Sequence, residues 1–318
     1  MITEAAQDAG SAGRTALALL IPGGHGQLGS DLAALGNQYG TMHAPGSAEL
    51  DVTDVAAVRD AVARLVDAAR AGGARPVVVN AAAYTAVDAA ESDVDGATAV
   101  NSLAPGLLAE ACARYDVPLL HVSTDYVFAG DASTPYETDA PTGPRTIYGR
   151  TKLAGEQAVL AAGADAWVVR TSWVYGATGK NFVKTMARLE RQRDTLSVVD
   201  DQHGAPTWSA QLAAGLLELA ELAAAGKGPA QRVLHCTGAG QTTWCGLARA
   251  VFAELGADPE RVRPCTTEDY PLPTPRPAYS VLSAAAWIEA GLTPLPGWRD
   301  ALTAFVAENK AVLTDTSG

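Results

Sequence analysis

The pair Tyr148 and Lys152, in Tyr148-Gly-Arg-Thr-Lys152, is the first combination in this sequence that could do chemistry. On a helix, positions four apart share one face. An ammonium beside a phenol favours the phenolate and lowers a pKa that starts near ~10. A drop of about three units corresponds to about 4 kcal/mol of differential stabilisation. Such a tyrosine can exchange a proton with a carbonyl oxygen near neutral pH. A second element is His121-Val-Ser123-Thr124-Asp125-Tyr126-Val-Phe128, an apolar run ending in hydroxyls. Thr124 could hydrogen-bond the same carbonyl oxygen and polarise it. Taken singly, these features are ordinary: a surface Tyr–Lys pair, and hydroxyls that form a turn. Their order along the chain is what joins them.

A third element precedes both. Gly23-Gly-His-Gly26-Gln-Leu-Gly29 has the spacing G-x-x-G-x-x-G between an apolar run and a helical pattern. Gly23 permits a tight turn, Gly26 lets backbone approach a diphosphate, and Gly29 allows close helix–strand packing. The helix N-terminus then presents free N–H groups to phosphate. An acid about 20 residues further on would read the ribose of NAD. The segment 41–44 is followed by Pro45-Gly46-Ser47, with neither acid nor arginine. Asp51 comes later and lies under the adenine or serves as an ordinary capping residue. NADH and NADPH therefore both stay open.

These groups need a scaffold. Strand patterns fall at 16–21, 41–44, 77–80, 119–123, 166–171, 195–199 and 232–236. Helical patterns fall at 27–35, 55–71, 90–115 and 148–163. The alternation predicts an α/β fold, a Rossmann-type doubly wound parallel sheet with ligands at the carboxyl ends of its strands. Beyond residue 175 the rhythm weakens and proline becomes frequent. A smaller C-terminal α/β substrate-binding cap is expected over 176–318, with segments returning to the sheet. The dinucleotide-binding part is expected over 14–175, after a disordered tail at 1–13. The apolar stretch 16–21 is too short for a signal peptide and runs into the glycine turn, so it reads as a strand.

Composition narrows the partners. The 318 residues carry a net charge of -12, with 48% hydrophobic and 18% charged residues. That is ample apolar material for a core. It disfavours nucleic acid and anionic membrane, which need a basic face. No run of about 18 apolar residues could span a bilayer. Cys112, Cys236, Cys245 and Cys265 form no C-x-x-C pair, and the five histidines have no ligand spacing. Free thiols in a reducing cytoplasm and no metal site are expected.

The sequence resembles the extended short-chain dehydrogenases/reductases, and more narrowly the dTDP-4-dehydrorhamnose reductases. The resemblance runs in order through Gly23–Gly29, Asp51-Val-Thr-Asp54, Asn80-Ala-Ala-Ala-Tyr-Thr85-Ala-Val-Asp88, Ser123–Phe128 and Tyr148–Glu156. It continues through Arg170-Thr-Ser-Trp-Val-Tyr175, Asn181-Phe182, Asp201-Gln-His-Gly-Ala-Pro-Thr207 and Arg276-Pro277. It implies NAD(P)H-dependent reduction of the C4 ketone of a dTDP-4-keto-6-deoxyhexose. Thr124, Tyr148 and Lys152 would be the catalytic trio. Gly23, Gly26, Gln27, Leu28, Gly29, Asp51, Val52, Ala81, Ala82 and Ala83 would line NADPH or NADH, together with Tyr148 and Lys152. Thr85, Tyr126 and Trp173 would hold the sugar, with Asn181 and Arg276 toward the nucleotide diphosphate. Plainer roles remain: Trp173 as a core aromatic, Tyr126 as packing, Arg276 as a surface charge.

Two departures stand out. Some relatives carry an acid after Gly-Ala-Pro-Thr that is tied to a metal-bridged homodimer. Here Trp208-Ser-Ala-Gln211 follows, which argues against the metal bridge and leaves a homodimer of another kind open. An asparagine expected near Thr146 is absent, as in ketoreductases for antibiotic deoxysugars. A 4,6-dehydratase would need a carboxylate where Tyr126 stands. A 4-epimerase would use the same tyrosine and lysine. A non-catalytic NADP-binding regulatory subunit would not need the intact trio.

Overall fold

The computed structural model describes residues 16–314. The tail expected over 1–13 lies outside them. The first half runs β1 (Leu17–Leu20), α1 (Gln27–Gly36), β2 (Gly40–His43), α2 (Val55–Gly72), β3 (Arg75–Asn80), α3 (Val87–Ala90), α4 (Val94–Thr98), α5 (Ala104–Arg114), β4 (Leu119–Thr124), α6 (Ile147–Ala161) and β5 (Ala166–Thr171). The second half runs β6 (Val174–Tyr175), α7 (Phe182–Gln192), β7 (Leu196–Val199), β8 (His203–Gly204), β9 (Thr207–Trp208), α8 (Ser209–Ala224) and β10 (Val233–His235). It ends with β11 (Thr242–Thr243), α9 (Trp244–Glu254), β12 (Val262–Cys265), α10 (Ala285–Glu289), α11 (Trp298–Glu308) and α12 (Lys310–Thr314).

Six strands form one parallel sheet in the order β10-β5-β4-β3-β1-β2. The alternation along β1 shows how it is covered. Leu17 and Leu19 join a core with Leu32 of α1 and Leu212 and Leu216 of α8. Ala18 and Leu20 join the opposite core with Val58 and Val62 of α2, Leu108 of α5 and Val159 of α6. Both faces are covered here, so β1, Leu17-Ala-Leu-Leu20, is apolar throughout. The chain leaves β1 for β2, then crosses back to β3 on the other side of β1. The carboxyl ends of β1 and β3 thereby open a crevice.

One expectation needs correction. The helix expected over 90–115 is divided into α3, α4, a five-residue π-turn at Ala99–Leu103, and α5. Asp93 starts α4 afresh by capping Gly96 N–H at 3.1 Å. The 195–199 strand, β7, pairs in parallel with β12 outside the main sheet. A separate core gathers Val183 and Met186 of α7, Phe252 of α9, and Leu302 and Phe305 of α11.

Candidate active site

The glycine turn follows β1 directly. Gly23 has φ +81°, and a Cβ there would sit 2.7 Å from Ala82 N, so a side chain is excluded twice over. A Cβ on Gly29 would overlap the Gly23 carbonyl. Gly26 caps α1 with extended backbone and no side-chain hydrogen bond, and the first turn contains no acid. The N–H groups of that turn are therefore free of side-chain caps and electrostatically open to an anion. This cradle fits a dinucleotide diphosphate. Behind it, Asn80 Oδ1 accepts Ala82 N–H at 3.1 Å while Asn80 Nδ2 meets His121 Nδ1 at 3.1 Å. The Ala81–Ala83 loop is thus tied to β4.

The trio converges at the end of β4. Lys152 is buried, and its Nζ donates to the Val122 carbonyl at 2.7 Å. Burial lowers the lysine to about 8, against the pull of Glu156 one turn on. The buried Arg170 guanidinium clamps Glu156 through Nε at 2.9 Å and Nη2 at 2.7 Å. Tyr148 is not depressed as its spacing to Lys152 predicts. Burial raises it to about 12, a hydrogen bond with Thr124 opposes this, and the Asp125 charge adds to it. The difference is physical: desolvation penalises the phenolate, and the lysine directs one of its three N–H groups at a backbone carbonyl.

Thr124 has partners within its own turn. Its hydroxyl donates to Asp125 Oδ1 at 2.9 Å and accepts Tyr126 N–H at 3.2 Å. Its one proton is therefore held by the carboxylate while Asp125 is ionised, in competition with the Tyr148 oxygen. Ser123 Oγ and Thr171 Oγ1, by contrast, are buried with no hydrogen-bond partner and line the cleft. The π-turn has a task here as well. It aims Asn101 so that its side chain bonds Tyr84 N–H at 2.8 Å, Tyr84 C=O at 3.0 Å and Thr151 Oγ1 at 3.3 Å. That fixes α6 against the loop carrying Thr85.

A cleft of about 870 Å³ extends from Gly26 past Tyr148 into the second half of the chain. Thr85, Tyr126, Trp173 and Arg276 line it. Tyr126 meets Tyr148 edge-on at 5.4 Å. Trp173 adopts φ +48°, rare for a bulky residue. Its indole stacks on Trp244 at 3.5 Å, and Phe182 lies 4.6 Å from Trp244. A Cβ on Gly204 would overlap the Trp173 ring, so the glycine of Asp201–Thr207 makes room for it.

A family model described as the RmlD substrate binding domain matches residues 17–311. The chain belongs to that family. It is 51% identical over 286 residues to a dTDP-4-dehydrorhamnose reductase of Streptomyces griseus, covering 89% of this chain and 91% of the relative. It is 48% identical to a probable dTDP-4,6-dihydroxy-2-methyloxan-3-one 4-ketoreductase of Streptomyces antibioticus, covering 89% and 92%. Its fold matches a crystal structure of dTDP-4-dehydrorhamnose reductase from Bacillus anthracis in complex with NADP. There the TM-score is 0.84 at 32% identity, over 92% of this chain and 99% of that one.

In this member of the RmlD family, some expected site residues stand back from the cleft. Asn181 does not line it. Its Oδ1 caps α7 at Lys184 N–H, 2.9 Å away, while Nδ2 donates to Gln27 Oε1 and Gly176 C=O, each at 2.8 Å. It positions Gln27 instead of facing a diphosphate. Arg276 lines the cleft but pairs with Asp88 at 2.7 Å. Asp51 is exposed and accepts Thr53 N–H and Oγ1–H at 2.9 and 2.6 Å, while Val52 is buried in the α2-side core. Gly23 and Ala82 shape the turn from behind. Thr146, where an asparagine was expected, caps α6 through Gly149 N–H at 3.0 Å. The residues that sequence reasoning missed are Asp125, Asn101, Thr171 and Trp244. Asn101 and Trp244 had no motif to mark them, whereas Asp125 was in plain view within the Ser123–Phe128 run.

Proposed function

We propose that this chain reduces the C4 ketone of a dTDP-4-keto-6-deoxyhexose with NADPH or NADH, the dTDP-4-dehydrorhamnose reductase reaction of dTDP-L-rhamnose biosynthesis. The observation that carries this reading is the meeting of Thr124, Tyr148 and Lys152 in one cleft with the Gly26 turn and an aromatic wall. When bound, the nicotinamide supplies the hydride. The N–H groups of Gln27, Leu28 and Gly29, with Gly26 behind them, hold its diphosphate. Ala81 and Ala83, which line the cleft, would flank it, with Ala82 shaping the turn from behind and the exposed Asp51, above the buried Val52, toward the adenosine.

Tyr148 gives its proton to the C4 oxygen. Its raised pKa keeps that proton in place until alkoxide character develops. Lys152 offsets the phenolate left behind and reaches the cofactor ribose. Thr124 supports the same oxygen. Thr85, Tyr126 and Trp173 contact the sugar, and Arg276 meets the nucleotide diphosphate. The dinucleotide belongs to residues before about 175, and the named substrate contacts straddle that point, with Thr85, Tyr126 and Trp173 before it and Arg276 after it. The free cysteines agree with a cytoplasmic setting. Any homodimer would form without a bridging metal.

The test is oxidation of NADPH or NADH, followed by absorbance, with the product of a 4,6-dehydratase as substrate. Tyr148→Phe should lose about 10²–10⁴-fold in kcat while keeping cofactor affinity. Full turnover by the variant, or no oxidation by the wild type, would sink the reading. A dehydratase or epimerase would show no net oxidation, and a regulatory subunit no turnover. A second reading is a 4-ketoreductase for another deoxysugar nucleotide in natural-product glycosylation. Thr146 and the near-equal identities to the two Streptomyces relatives, 51% and 48%, favour keeping it. Product stereochemistry separates the two.

A further inference from the structure

Thr124 holds one hydroxyl proton, and an ionised Asp125 competes with the Tyr148 oxygen for it. It is donated to Asp125 Oδ1 at 2.9 Å, and a lone pair of the same oxygen accepts Tyr126 N–H at 3.2 Å. In that state Thr124 has nothing to donate to a ketone. We infer that Asp125 is a positioning residue for this reduction: as a neutral acid it donates to Thr124 Oγ, which turns the threonine proton toward the substrate C4 oxygen. This rests on the reductase reading above.

The surroundings suit a neutral acid. Asp125 is only 3% exposed, in the turn just after β4. Burial raises its carboxyl to about 6, against the stabilising polar groups of Ser280, Thr124 and the nearby backbone, and its Oδ2 is buried with no hydrogen-bond partner. The groups facing it are Thr124 and Tyr126 from its own turn, Tyr148 from α6, and Ser280. The phenols of Tyr126 and Tyr148 bring no positive charge. The Arg276–Asp88 pair acts on Tyr126, and Lys152 is turned to the Val122 carbonyl. A sugar diphosphate filling the cleft removes water and adds negative charge, and both effects raise the carboxyl further. The sign follows. Thr124 is a donor below the Asp125 pKa and is silenced as pH rises through it.

The test is the pH profile of kcat/KM for wild type, Asp125→Asn, Thr124→Val and the double variant. Wild type should fall in two steps toward high pH, the lower from Asp125 and the upper from Lys152. Asp125→Asn places an amide donor beside Thr124 and should delete the lower step while keeping the upper. In the Thr124→Val background the same change should alter kcat/KM less than about twofold. Infrared difference spectra of the complex with NADP⁺ and dTDP-rhamnose should show a protonated-carboxyl band that is absent from Asp125→Asn. A wild-type profile in Asp125→Asn, equal losses in both backgrounds, or no such band would overturn the assignment. Failure of wild type to reduce the 4-keto sugar at every pH would instead overturn the function, and this inference with it.

Discussion

The two walls of the cleft are built in different ways. The sheet-side wall is backbone and short polar groups locked from behind. Gly23 lies against Ala82, Asn80 ties the Ala82 loop to His121, and Asn101 ties Tyr84 to α6. The cap-side wall is large rings and aliphatics held by their neighbours, with Trp173, Trp244 and Phe182 in succession. A backbone wall sets positions and admits no added atom. A ring wall sets fit by contact area and can be resized. Changes to the first should therefore cost stability, cofactor affinity or kcat, while changes to the second should act mainly on KM.

The sharpest way to break this contrast is at the turn. Gly29→Ala would drive a methyl into the Gly23 carbonyl, and neither backbone segment has slack. A loss of about 1–3 kcal/mol in stability is expected, in line with other overpacked sites. NADPH affinity should fall at least about tenfold. Thermal unfolding and a cofactor titration check both. A variant that binds NADPH normally would mean that this wall yields, and the contrast would be lost.

Trp244→Ala probes the other wall with a smaller effect. An aromatic pair contributes about 0.5–1.5 kcal/mol beyond its buried area. Without Trp244, Trp173 loses the surface that holds it in its φ +48° conformation. KM for the dTDP-sugar should rise about tenfold with kcat changed less than about threefold, and Trp244→Phe should restore most of the loss. Steady-state kinetics decide it. A collapse of kcat with KM unchanged would place Trp244 on the catalytic side of the division.

The same contrast explains how much could be read in advance. The sheet and its turn were legible because backbone constraints leave glycine, alanine and β-branched signatures in fixed order. Gly23, Gly26 and Gly29 all lie where their spacing put them. The hidden parts depend on which partner a polar group chooses. Nothing in the Tyr148–Lys152 spacing says that the lysine will donate to Val122 or that Thr124 will donate to Asp125. Asn181, a ligand contact by resemblance, precedes a helix and satisfies the capping rule. Trp244 lies 71 positions from Trp173, and only the packing of α9 brings the two rings together.

Asp88 and Arg276 join the two walls, so a change there tests whether the walls are independent. The residues are 188 positions apart and meet at 2.7 Å, with Asp88 43% exposed and Arg276 17%. At that exposure the pair contributes about 0.2–1 kcal/mol to stability, and salt weakens it. If Arg276 meets the nucleotide diphosphate as proposed, its greater effect is on ligand binding, because the guanidinium would be shared between Asp88 and the incoming ligand. Asp88→Asn should lower KM for the dTDP-sugar about two- to threefold at low salt, with the gain fading as salt is raised. The Arg276 hydrogen bond holds the Asp88 carboxyl below its usual value. The wild-type pair is therefore present above the usual aspartate range near ~3.9 and lost only as pH falls below it. The difference between wild type and Asp88→Asn should accordingly stay flat from about pH 5 to about pH 8, which separates it from the Asp125 step. A rise in KM instead would mean that Asp88 holds Arg276 in its working position, and that the ring wall takes its register from the sheet.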